Sequence, residues 1–117
     1  MKLLTKELER KIPALGDQEN VKDPIVYTVF FHPFSSWYWF VTEYDPLDEI
    51  FFGLVCGFEN ELGYFSLEEI KSFKYMGLPI ERDLYFKEKP LSEVIKRYKN
   101  RVMNDNFDTI LQIIEKD

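Results

Sequence analysis

The side chains best equipped for chemistry in this 117-residue chain are carboxylates, and they gather in three places. Glu43, Asp45 and Asp48 surround one turn signal, Glu59 and Glu61 follow, and Glu81 and Asp83 flank Arg82. Strand alternation continues the Trp37, Trp39 and Val41 face onto Glu43, so Glu43 is expected in the core. A carboxylate there needs a partner, and Arg82 is the expected one, in a bidentate pair. Glu43, Glu61, Arg82 and Asp83 then make either a structural ion pair, tying residues 77–83 to the sheet, or a cleft. In the cleft reading, Glu43 with Glu61 or Asp83 would hold a divalent metal for phosphodiester hydrolysis, which makes a metal-dependent nuclease or hydrolase the alternative function. No ligand spacing marks a metal site, so no catalytic residue, metal ligand or cofactor is assigned.

His32 is the only histidine and stands beside Ser35 and Ser36. A Ser–His contact is conceivable, but no nucleophile-elbow motif supports it, and a satisfied histidine at a strand end is the plainer expectation. Cys56 falls inside an apolar run and reads as buried and inert. Aromatics reach 17%, which invites a base-stacking platform of Tyr27, Tyr38 and Phe40, with Phe30 beside them. The simpler account is that helices cover both sheet faces and use these rings as core. A net charge of −6 disfavours nucleic acid, which makes a single-stranded nucleic-acid binder the second alternative.

These side chains need elements to position them. Residues 37–65 hold two aromatic-rich apolar runs around the turn cluster at 45–49, a β-hairpin about which the chain is organised. Before it, residues 3–12 read as a short helix capped by Thr5 and stopped by Pro13, and 16–24 as a loop. Strands are expected at 25–32, 37–44 and 50–58, a turn at 59–62, and a short fourth strand or extended piece at 63–65. Gly53 and Gly57 should admit a bulge, a helix or a ligand, a packed helix being expected ahead of a ligand. Ser66 and Glu69 form a capping box for a helix to about Tyr75, with Gly77 as its C′ residue. A loop at 78–83 and an extended 84–86 follow. Pro90 suits the first position of a helix reaching about Val102. Asn104–Asn106 supplies a break and a cap. Phe107, Ile110, Leu111 and Ile114 then trace an amphipathic helix. The fold class is α+β: a mostly antiparallel meander of three to four strands with amphipathic helices packed on it.

Size predicts one globular domain spanning 1–117. A single cysteine removes any need for an oxidising compartment, the N-terminus lacks a signal-peptide core, and no apolar run is long enough for a membrane span. A cytoplasmic location with no membrane contact is therefore expected.

Several segments taken together resemble one family: residues 23–27 (DPIVY), 37–43 (WYWFVTE), 51–55 (FFGLV), 61–67 (ELGYFSL) and 77–86 (GLPIERDLYF). In this order they are similar to the bacterial family catalogued as domain of unknown function 2958. The likeness covers about residues 1–95 and leaves about 96–117 as a C-terminal helical extension. It implies a plasmid, phage or other mobile-element context and no particular reaction. The favoured function is a non-enzymatic cytoplasmic interaction module, with a protein partner or a second copy as its occupant.

Overall fold

Thr5 starts the first element: its hydroxyl accepts the Leu8 N–H at 3.1 Å and caps helix α1 (Lys6–Lys11). The computed structural model describes residues 2–102 and 107–115. After α1 the chain turns through Pro13 and a polar loop, then runs through β1 (Ile25–Val26) and β2 (Thr28–Phe31). The long hairpin follows as β3 (Tyr38–Asp45) and β4 (Ile50–Cys56), and returns once more as β5 (Asn60–Ser66). Helix α2 (Leu67–Ser72) leads into three short strands: β6 (Lys74–Tyr75), β7 (Leu78–Pro79) and β8 (Glu81–Arg82). Strand β9 (Lys89–Pro90), helix α3 (Leu91–Tyr98) and helix α4 (Asp108–Glu115) are the last elements among the described residues.

The fold is α+β. Its main sheet is antiparallel and five-stranded in the order β5-β4-β3-β2-β8, and two small sheets pair β1 with β9 and β6 with β7. The fifth strand is β8, within a segment expected to be loop. Its Arg82 registers with Phe30. Strand β5 begins at Asn60, earlier than expected, because the β4–β5 turn closes over residues 57–59.

Each sheet face buries its own core. On one, Val29, Phe40, Leu54 and Cys56 pack under Leu91, Val94, Ile95 and Tyr98 of α3, with Phe107 and Ile114. On the other, Phe30, Trp39, Val41, Phe51 and Phe65 meet Ile12, Leu67, Ile70 and Ile80. Rings pack within both cores: Tyr44 stacks on its cross-strand neighbour Phe51 at 4.4 Å, and Phe40 meets Tyr98 of α3 edge-on at 5.2 Å.

Helix α2 differs from expectation at its end. Ser66 Oγ caps it by accepting the Glu69 N–H at 3.0 Å, but it stops at Ser72 and Phe73 is already extended. Gly77 does not terminate it. Met76 and Gly77, at φ 54° and 75°, make the two-residue turn between β6 and β7, where paired positive φ matches strand twist. Helix α3 also ends early, at Tyr98, and Pro90 sits just before it without a side-chain cap. Asp23 substitutes from a distance, accepting the Ser92 N–H at 2.9 Å and the Ser92 hydroxyl at 2.6 Å. The expected break at 104–106 lies outside the described residues.

Candidate functional site

One irregularity in β3 builds the site. Val41 pairs with Gly53, but Glu43 pairs with Phe52, so Thr42 is an extra residue and β3 carries a bulge. The bulge reverses the side-chain parity that simple alternation predicts. Tyr44 joins the Trp39 and Val41 core, and Glu43 turns to the opposite face, alongside Phe52. Gly53 makes this approach possible: a Cβ there would lie 1.8 Å from the Phe40 carbonyl oxygen. Backbone at the bulge, not a packed helix, is what this glycine admits. At Gly57 the close neighbour is the Trp37 ring, 2.6 Å from where a Cβ would stand.

Glu43 is buried, and its partners are backbone amides. Gly16 N–H donates to Oε1 at 2.8 Å and Gln18 N–H to Oε2 at 2.7 Å. These bonds hold the 13–24 loop against the end of β3. Pro13 O accepts the Tyr44 N–H at 2.8 Å, and Gly16 makes the loop's turn at φ 93°. The Gln18 amide completes the join. Its Nε2 donates to Ile25 O at 2.9 Å and to Thr42 O at 2.8 Å, and its Oε1 accepts the Ile25 N–H at 2.7 Å. The bulge carbonyl is thereby satisfied by a side chain in place of the ladder, and Thr42 Oγ1 donates to Phe52 O at 3.1 Å.

Above this join is a cleft of about 700 Å³, within the range of small-ligand and peptide sites. Phe52, Leu62 and Tyr64 of β4 and β5 form one wall, Leu91, Ile110 and Ile114 another, and the 15–24 loop the third, with Glu43 at the inner end. On the opposite sheet face, a second groove of about 440 Å³ runs beside β5. Trp37, Trp39, Phe65 and Phe73 line it, with Gly63 in its β5 wall and Glu61 and Glu69 among its lining. Strand β5 therefore lies between two recesses, one on each face, and is the long exposed edge of the main sheet.

The four residues expected to converge do not. Arg82 registers with Phe30, whose ring lies in the second-face core, so Arg82 and Glu43 belong to opposite faces. Glu61 and Arg82 stand on the two outer strands of a five-stranded sheet, roughly 19 Å apart by strand spacing. Asp83 serves a local join: Oδ1 accepts the Tyr85 N–H at 3.0 Å and Oδ2 the Tyr98 hydroxyl at 3.2 Å. Burial, followed by the Asp83 charge and that hydrogen bond, pushes Tyr98 up to about 12. Among the described residues, no group of three or more His, Cys, Asp and Glu side chains is placed to hold a metal ion.

The expected aromatic platform is divided as well. Tyr27 packs toward the second-face core, whereas Tyr38 and Phe40 belong to the first. Phe40 is fully buried, and Tyr38 stacks on it at 5.7 Å. His32 is buried and saturated. Nδ1 accepts the Phe34 N–H at 3.1 Å, leaving the proton on Nε2, which is 3.0 Å from both Tyr75 O and Leu78 O. Its task is to hold the β6–β7 hairpin to the end of β2. Burial pushes the Cys56 thiol up to about 12, which suppresses its thiolate.

Sequence reasoning placed residues 16–24 in a loop but gave neither Gly16 nor Gln18 a part in the site. The signals present were Gly16 and an isolated glutamine before a strand, too common to mark a site.

Fold and site together define an α+β protein with helices on both faces of an antiparallel sheet and a recess on each side of one edge strand. The sequence profile of the protein family of unknown function DUF2958 matches residues 3–103, most of the chain, and the protein belongs to that family. No curated protein and no solved structure matches it. Among the described residues, no helix is long and apolar enough to cross a membrane.

Proposed function

We propose that this protein is a non-enzymatic interaction module that takes up an extended segment of a partner protein by strand addition to β5. One observation carries the reading: a seven-residue edge strand has a recess on each face. Main-chain hydrogen bonds along such an edge supply affinity, and recesses that receive alternate side chains supply specificity. The other edge, β8, has two residues and offers little to pair with. Exposed apolar side chains support the choice of edge, since Leu62 is 51% and Tyr64 70% exposed on β5. An accessory role in plasmid or phage biology rests on the family resemblance, and the neighbourhood of the gene tests it.

The direct test is selection of binders from a random peptide library, followed by amide hydrogen exchange of the full chain with an enriched peptide. Slowed exchange across residues 60–66 is expected. Enriched peptides that protect only other segments, or no enrichment at all, would overturn the reading.

A further inference from the structure

The two recesses beside β5 differ in chemistry, and the difference specifies the occupant. We infer that the added strand alternates cationic and large apolar side chains, with a lysine or arginine opposite Gly63; this rests on the strand-addition reading above. Residues directly opposite in a sheet share a face. A residue opposite Gly63 would thus project over the second face, beside Trp37, Phe73, Glu61 and Glu69. Its neighbours in the added strand, opposite Leu62 and Tyr64, would project toward the apolar cleft.

Four features favour a cation over the second face. Gly63 leaves room, because a Cβ built there meets nothing within 4 Å. Trp37 and Phe73 place aromatic rings in the groove's lining, and ammonium and guanidinium groups are attracted to such rings. Glu61 and Glu69 are exposed, and neither has a cationic neighbour in ion-pair range among the described residues. Glu59 and Glu68, also exposed, extend the negative potential at either end of β5. The same charges oppose the competing occupant. A second copy paired through β5 would bring two acidic edges together, whereas a basic segment neutralises one.

The test uses labelled six-residue peptides with Lys and Ile alternating, Glu and Ile alternating, or Lys and Ser alternating. Fluorescence anisotropy reports binding to the full chain, hydrogen exchange locates it, and sedimentation velocity gives the oligomeric state. The Lys–Ile peptide should bind about tenfold more tightly than either other peptide, and more weakly as salt rises. The double variant Glu61→Lys/Glu69→Lys should reverse the preference toward Glu–Ile. Gly63→Leu should fill the groove and abolish binding while the thermal melt is retained. Equal or tighter binding of Glu–Ile to the wild type, with β5 protected, would overturn the cationic specification and leave strand addition standing. Lys–Ile binding without protection of residues 60–66 would overturn both, as would the absence of binding by all three peptides. A protein already dimeric through β5 would assign the edge to a second copy and overturn the inference.

Discussion

Gly53 and Gly63 face each other across the β4–β5 ladder, yet the structure asks opposite things of them. A Cβ on Gly53 would sit 1.8 Å from the Phe40 carbonyl oxygen, and a Cβ on Gly63 would meet nothing within 4 Å. The first glycine is required by backbone: the bulge in β3 draws the two strands too close for a side chain. The second keeps a groove open at the rim of the sheet. The central part of the sheet is thus tightly determined and positions Glu43, while the β5 edge retains space and unused surface. Adjacent positions of one residue type separate what holds the fold from what is available to a partner.

The sharpest way to break this comparison is to add one methyl group at each site. Gly53→Ala should lower stability by about 3 kcal/mol or more, because the obstruction is backbone, whereas Gly63→Ala should stay within about 0.5 kcal/mol. Urea titration of both variants decides it, and equal costs would end the contrast.

Next in size is Glu43→Ala, which leaves the Gly16 and Gln18 N–H groups without their acceptor. A loss of about 2–4 kcal/mol is expected, with Glu43→Gln costing less because one oxygen remains. Combined with Arg82→Ala the effects should add, since the two residues lie on opposite faces of the sheet. A coupling energy above the usual error would restore the expected ion pair.

Alkaline titration compares the two cores. Burial is the largest cause that pushes Tyr44 on one face, and Cys56 and Tyr98 on the other, up to about 12. The ordinary values are 10.0 for tyrosine and 9.0 for cysteine, so above these the unfolded chain releases protons that the folded chain keeps. Stability from these groups is complete below pH 9 and falls as pH rises toward 12. Denaturant midpoints measured across that window should decline, and Tyr98→Phe should flatten part of the slope.

A modest stability effect belongs to Tyr64→Ala. That side chain is 70% exposed, but its ring meets Phe52 edge-on at 4.9 Å, so a loss of about 1 kcal/mol is expected. Peptide uptake at β5 should also weaken, which would tie that side chain to binding as well as to folding.

The sequence by itself determined the α+β class, the hairpin at the centre, the caps at Thr5 and Ser66, and the consumption of most rings as core. These follow from local preference and period, which act over a few residues. It also showed that Glu43 must find a partner. Tertiary structure alone decided which partner, because a one-residue bulge at Thr42 inverts the faces beyond it, and period-two reasoning cannot detect an extra residue. The same holds for Gln18, whose bonds span 24 residues to Thr42, and for Asp23, which caps a helix 69 residues away. Contacts of that span depend on where the chain returns, a property of the whole packing and not of any neighbouring residues.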